Sequence, residues 1–235
     1  MRRVALLLAA MALALLLASS VAWAVNKVGT NGPDTLRGTN GDDNLLGKGA
    51  NDVLYALGGM DNLLGGEGKD WVLGGNERRS CCGRGHKNLV GGPGNDGLLG
   101  GIDSDNELGG SGNDFLNGDI GSDRTLGEGG GDLLIDGPLG EASKNDVLSG
   151  GEGDDFFFAD HVPAVKDIVS CGSGFDRVLA DRKDVVADDC EEVRVVHGSK
   201  AEVRRQEDAF VQSLPPAPRE FFNTFDEQLA PFPSG

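Results

Sequence analysis

Aspartates are the side chains of this 235-residue sequence whose spacing points to chemistry. Asp34, Asp43, Asp52, Asp61 and Asp70, each followed two places later by a large apolar residue, fall at intervals of nine. The frame runs on through Arg79 and Asn88, where the acid is lost. After a one-residue deletion, Asp96, Asp105, Asp114, Asp123 and Asp132 again step by nine. A five-residue insertion near 137–141 precedes Asp146 and Asp155, and a three-residue insertion precedes Asp167 and Asp176. Sixteen slots result, fourteen of them Asp. One Asp beside glycine is ordinary turn chemistry, because Asp and Asn favour Asx-turns without any metal. Stacked rows of carboxylates are different, since like charges a few ångströms apart repel unless something neutralises them. The tight Gly-rich turns expose carbonyl oxygens. Carboxylate and carbonyl together form an all-oxygen donor set, which suits a hard cation.

The wording around each slot is similar, with GGEGKDWVL, GGSGNDFLN and GGEGDDFFF the best copies. These resemble the GGxGxDxUx unit of RTX (hemolysin-type) calcium-binding repeats, where U is a large apolar residue. The resemblance runs from about residue 30 to residue 180. It implies an all-β fold, a right-handed parallel β-roll (β-solenoid) in which two nonapeptides make one coil of about 18 residues. Alternate slots then stack on one edge at sheet spacing, about 4.8 Å. It also implies calcium, several ions, held by Asp34, Asp43, Asp52, Asp61, Asp70, Asp96, Asp105, Asp114, Asp123, Asp132, Asp146, Asp155, Asp167 and Asp176. Gly and Asn carbonyls serve as co-ligands. Without calcium such a solenoid is expected to be unstable, so metal binding and folding become one process.

The elements that must position these carboxylates are short. The xUx half of each unit reads as a three-residue strand whose middle side chain points inward. The inward positions are Leu36, Leu45, Leu54, Leu63, Val72, Val90, Leu98, Leu116, Leu134, Leu148 and Phe157, with Glu107 and Thr125 marking weaker repeats. One repeat cannot bury its own apolar residue, so many must stack. Three residues after alternate slots come Leu46, Leu64, Leu99, Ile135 and Phe158, expected as a row on one outer face: a contact surface, or a strip covered by the tail.

The pattern breaks at 76–87, NERRSCCGRGHK, where Arg79 takes a slot. Two readings stand there: a guanidinium replacing the calcium charge by salt bridges, or a patch for a partner. Cys171 and Cys190 are 19 residues apart, close to the coil length that the resemblance implies. A disulfide between adjacent rungs is therefore expected to close the end of the roll. The adjacent Cys81 and Cys82 are open between a vicinal bridge, free thiols and an intermolecular link.

Arg2 and Arg3, the uncharged run Val4 to Ala18 and Ala22-Trp23-Ala24 read as a secretory signal peptide over 1–24. The run is short of the ~20 residues that a spanning helix needs. A secreted chain beginning at Val25 and free of membrane spans follows. Losing both arginines takes the net charge from −17 to −19, which argues against nucleic acid and suits a cation. The roll is expected over 25–197 and a mobile charged, Pro-rich tail over 198–235, with a short charged helix at 200–213 as an option. Phe221, Phe222 and Phe225 offer either an anchor for a partner or a cap on the roll.

No HExxH helix or GxSxG elbow occurs, and His86, His161 and His197 have no recognisable nucleophile partner. Repeats filling most of the chain leave no room for a catalytic domain. The expectation is a non-enzymatic, calcium-binding extracellular module, structural or adhesive, with a cell-surface or polysaccharide partner. The alternative is an accessory or remnant module of a secreted RTX enzyme or toxin.

Overall fold

A computed structural model of the chain describes residues 24–75, 85–137, 144–161 and 163–214. The expected signal peptide, Arg79, Cys81, Cys82 and the Phe221–Phe225 cluster lie outside these residues.

The short strands stack into two nine-stranded, wholly parallel sheets, the odd-numbered strands in one and the even-numbered in the other. The odd sheet holds β1 (Asn26–Val28), β3 (Asn44–Gly49), β5 (Asn62–Glu67), β7 (Asn88–Pro93), β9 (Asn106–Ser111), β11 (Arg124–Gly129), β13 (Val147–Glu152), β15 (Ile168–Ser173) and β17 (Val185–Val186). The even sheet holds β2 (Thr35–Arg37), β4 (Val53–Tyr55), β6 (Trp71–Leu73), β8 (Gly97–Ile102), β10 (Phe115–Ile120), β12 (Leu133–Ile135), β14 (Phe156–Ala159), β16 (Arg177–Ala180) and β18 (Glu192–Val195). Each coil contributes one strand to each sheet. The result is a β-roll, as the nine-residue step implies.

Strands this short hold because their central side chains interlock between the sheets. Leu45 pairs in register with Leu63, Leu54 with Val72, Leu98 with Leu116 and Leu134 with Phe157. These residues are buried in two successive clusters along the axis. Glu107 and Thr125 also point inward, stacked on each other, with the Thr125 hydroxyl 3.4 Å from Glu107 Oε2. Burial drives the Glu107 carboxyl well above the usual carboxylate range, because desolvation disfavours its charged form.

Two expectations about the break are corrected. Asp70 and Asp96 are neighbours on one edge although 26 residues apart, eight more than a coil. The surplus adds no rung to this ladder. Lys87, not Asn88, takes the slot before β7, and Leu89, not Val90, points into the core. Counting Arg79 and Asn88 as separate slots also reversed the assignment of edges beyond them. The apolar row expected on one face is therefore split: Leu46 and Leu64 lie on the odd sheet, Leu99, Ile135 and Phe158 on the even sheet.

The even-sheet part is covered. Residues 198–213, assigned to a mobile tail from the sequence, include the helix α1 (Lys200–Ser213), packed against the roll. Its first turn is capped by the Ser199 N–H donating to the Glu202 carboxylate at 2.7 Å. Val203, Phe210 and Leu214 are buried against Phe156, Phe158 and Leu179, and the Phe158 and Phe210 rings meet edge to face at 5.3 Å. The odd-sheet face carries no such cover among the described residues. There Val28, Leu46, Leu64, Val90, Leu108 and Leu126 stack in register. Beside them the Asn44, Asn62, Asn88 and Asn106 amides each donate to the Asn one coil earlier, at 2.7–3.0 Å.

At the far end Cys171 and Cys190 form a disulfide, their Cα atoms 5.3 Å apart. It ties β15 to the segment leading into β18.

Candidate metal centre

Every slot aspartate stands just before a strand, where the glycine turn ends. The coil brings these residues together in two rows, one along each edge. Along the first, the backbone N–H of Asp34 donates to Asp52 Oδ1 at 2.7 Å, and the same link runs from Asp52 to Asp70 and on to Asp96, Asp114, Asp132, Asp155 and Asp176. Along the second, Asp43 donates to Asp61 Oδ1, and beyond the break Asp105, Asp123, Asp146 and Asp167 are joined in the same way. All fourteen sequence-assigned positions are thus on the ladders, and all but Asp34 are buried.

Each carboxylate has its two oxygens in different surroundings. Except in Asp34, Oδ1 is held by the neighbouring coil's N–H; in Asp34 and Asp43 the backbone N–H of Thr30 and of Thr39 donates to Oδ2. Oδ2 has no hydrogen-bond partner in Asp52, Asp61, Asp70, Asp96, Asp105, Asp114, Asp123, Asp132, Asp155, Asp167 and Asp176. Buried, unpartnered carboxylate oxygens are costly, and a row of them calls for a cation. The surroundings supply matching donors. A side chain on Gly47 would meet both Asp52 Oδ2 and the Gly65 carbonyl oxygen within 3.0 Å, and one on Gly91, Gly127 or Gly150 would meet the corresponding pair. Glycine five residues before the slot therefore keeps open a space into which carboxylate and carbonyl both project. The donor set is oxygen only, flexible and rich in carbonyls, which fits calcium better than the smaller, stricter magnesium.

The electrostatics agree. Burial pushes the carboxyls of Asp96, Asp123 and Asp132 up to about 8, those of Asp105, Asp114 and Asp155 to about 7, and that of Asp61 to about 6. The backbone hydrogen bond to each works the other way, and neighbouring ladder carboxylates, where they act, add to the rise. Burial thus disfavours the charged form of these groups, and a bound cation would favour it.

Lys87 occupies the second row between Asp61 and Asp105. It is fully buried, its N–H donates to Asp105 Oδ1 at 2.8 Å, and its Nζ donates to the Gly85 carbonyl at 2.9 Å. Its charge lowers the carboxyl pKa of both Asp61 and Asp105. A lysine thus stands in the ladder where the other rungs have a carboxylate; Arg79, given that role from the sequence, lies outside the described residues. Sequence reasoning also missed the last rungs, Asp184 and Glu191, whose carboxylates accept from the N–H groups of Asp167 and Asp176 at 3.0 and 2.8 Å. Their distances from the preceding slot, 17 and 15 residues, are near one coil and were the available signal.

Comparison with known families agrees with this geometry. A model of the RTX calcium-binding nonapeptide repeat matches four times, over residues 28–63, 46–77, 108–134 and 143–160. No curated protein matches the chain. The unmatched stretch 78–107 contains the break, yet Asp96 and Asp105 stand on the ladders like the rest.

Proposed function

Because the chain carries RTX calcium-binding nonapeptide repeats, we propose that it is a secreted, non-enzymatic module that folds on calcium and has a structural or adhesive role outside the cell. The observation that carries the calcium part is the pair of buried carboxylate rows whose Oδ2 atoms lack partners and face turn carbonyls. The slot aspartates would hold the ions, and each ion would supply the positive charge that lets the coils approach. Extracellular calcium modules bind at roughly 10⁻⁴ to 10⁻³ M. A chain of this charge would thus pass through the cell unfolded and fold outside it.

Secretion is supported by the basic, then apolar, then small-residue start and by the Cys171–Cys190 disulfide, a bond at home in oxidising compartments. No helix among the described residues is long and apolar enough to cross a membrane. Adhesion is supported by the odd-sheet face, where an aliphatic row lies beside an asparagine ladder and no described element covers it. A flat, regular surface of this kind suits a repetitive polysaccharide or cell-surface partner.

Calorimetric titration of the chelator-treated protein with calcium is expected to show several ions bound. Retention on polysaccharide or cells in calcium is expected to drop in the paired substitution Leu64→Lys and Val90→Lys. Absence of calcium binding would overturn the reading. Retention unaffected by the paired substitution would remove the odd-sheet face from it.

A further inference from the structure

The second ladder changes chemistry near its C-terminal end. In the earlier coils the residue four places after the slot aspartate on this sheet is small: Gly38, Ala56, Gly74, Gly100 and Gly118. The next coil has Asp136 in that place, after β12, whose Asn117↔Ile135 pairing fixes the equivalence with Gly118. Asp136 is only 2% exposed, and its Oδ2 makes no hydrogen bond. One coil further on, His161 turns inward behind β14. Its Nδ1 lies 3.2 Å from Asp136 Oδ2 and 3.4 Å from Asp167 Oδ2, and its side chain is 1% exposed. Neither ring nitrogen has an aligned hydrogen bond.

Three donor atoms thus converge, and all lie within 4.8 Å of one another. A tetrahedral ion bonded to nitrogen and oxygen at about 2.0–2.1 Å has ligand–ligand edges of about 3.4 Å. The two separations from Nδ1 are close to that edge. Imidazole nitrogen sets this place apart from the rest of the ladders, which offer oxygen alone: it suits zinc, and other first-row divalent ions, better than calcium. Charge favours a divalent occupant as well. The carboxylates of Asp146, Asp160, Asp167 and Asp184 all bear on Asp136, and a lone imidazolium would offset only part of that charge. Asp167 Oδ1 accepts the Asp146 N–H at 2.8 Å, and its Oδ2 would serve this site in place of a ladder calcium. A cavity lined by His161, Pro163, Ala164, Asp181 and Arg182 adjoins the imidazole and gives an ion a way in.

We propose that Asp136 Oδ2, His161 Nδ1 and Asp167 Oδ2 form a mixed nitrogen–oxygen site for one divalent transition-metal ion of the zinc class. The site depends on the folded roll but not on the adhesive role.

The test is titration of the protein, held in excess calcium, with Zn²⁺ and with Co²⁺ as a visible probe. One equivalent is expected to bind, and cobalt is expected to give the ligand-field absorption of a four-coordinate centre. Loss of a ligand in His161→Gln or Asp136→Asn is expected to weaken zinc binding by ~10–100-fold or more, at least the effect of removing a second-shell partner. His86→Gln and His197→Gln change exposed imidazoles and are expected to bind as the parent does. Nitrogen NMR of the unsubstituted protein gives the same answer should a variant misfold: one imidazole of the three should shift its Nδ1 on zinc addition. Circular dichroism in calcium before zinc is added reads the calcium proposal separately, so the two can fail independently. No zinc or cobalt binding in excess calcium would overturn the inference. So would binding undiminished in folded His161→Gln, or a His161 ring that stays protonated on both nitrogens in zinc.

Discussion

At Asp114 the two carboxylate oxygens serve different tasks. Oδ1 accepts the Asp96 N–H at 2.8 Å, whereas Oδ2 has no protein partner. Asparagine can keep the first contact through its own Oδ1 but presents no charged oxygen to an ion. Asp114→Asn is therefore expected to lower stability in saturating calcium by roughly 3 kcal/mol and to reduce the calcium bound. In chelator it should not destabilise the protein, because it removes a buried like charge. Thermal melts with and without calcium check this. Lys87 gives the complementary case. Lys87→Ala leaves Asp61 and Asp105 without their cation and is expected to destabilise by ~3–5 kcal/mol. Lys87→Asp restores the ladder pattern and should recover stability only as calcium rises, with more calcium bound in calorimetry.

The raised carboxyls also fix the direction of pH dependence. Asp96, Asp123 and Asp132 hold their protons up to about 8 in the metal-free fold, against about 3.9 in an unfolded chain. Between these values the folded state binds more protons than the unfolded one, so metal-free stability falls as pH rises from about 4 to about 8. Calcium competes with those protons, so with calcium present stability should instead rise with pH across about 6 to 8. Circular dichroism in chelator is expected to show β structure favoured toward about pH 4 and lost toward about pH 8, whereas melts in calcium are expected to shift upward from about pH 6 to about pH 8. A metal-free protein more stable at the alkaline end would contradict the account. The slot aspartates were legible in the sequence because their nine-residue step repeats. Asp136 and His161 were not, because neither stands in an Asp slot: Asp136 takes a place that is small in earlier units, His161 lies in the lengthened step between Asp155 and Asp167, and only the coil brings them together.

Among the elements, the strands were readable from a single apolar residue in each unit, since the inward row needs only that residue to recur. The edge on which a strand falls was not. The eight residues beyond one coil between Asp70 and Asp96 amount to nearly one repeat, and spacing alone does not tell whether they add a rung. That ambiguity moved Leu99, Ile135 and Phe158 to the wrong sheet. The helix α1 and a strip covered by the tail were both options in the sequence, but the contacts were not, because Val203, Phe210 and Leu214 show a face without showing which residues it meets. Phe210 is fully buried on the even sheet. Phe210→Ala is expected to lower stability in calcium by about 3–5 kcal/mol, and far-UV circular dichroism should still report the β-roll. Loss of all β structure in that variant would mean that the helix is required for the roll to form at all.

For the whole molecule, the two sheets, the carboxylate rows and the disulfide describe a rod that a polyanionic chain can build only when something neutralises its edges. Lys87 does so at one rung, and at the others the proposed calcium ions would. The core between the sheets is one residue thick, so stacking of the coils cannot be separated from that neutralisation. The most direct test is far-UV circular dichroism of the chelated protein titrated with calcium, in parallel with magnesium. The account requires a coil spectrum that converts to β structure with calcium and not with the same concentration of magnesium. A β spectrum that is already complete in chelator at neutral pH and unchanged by calcium would contradict it.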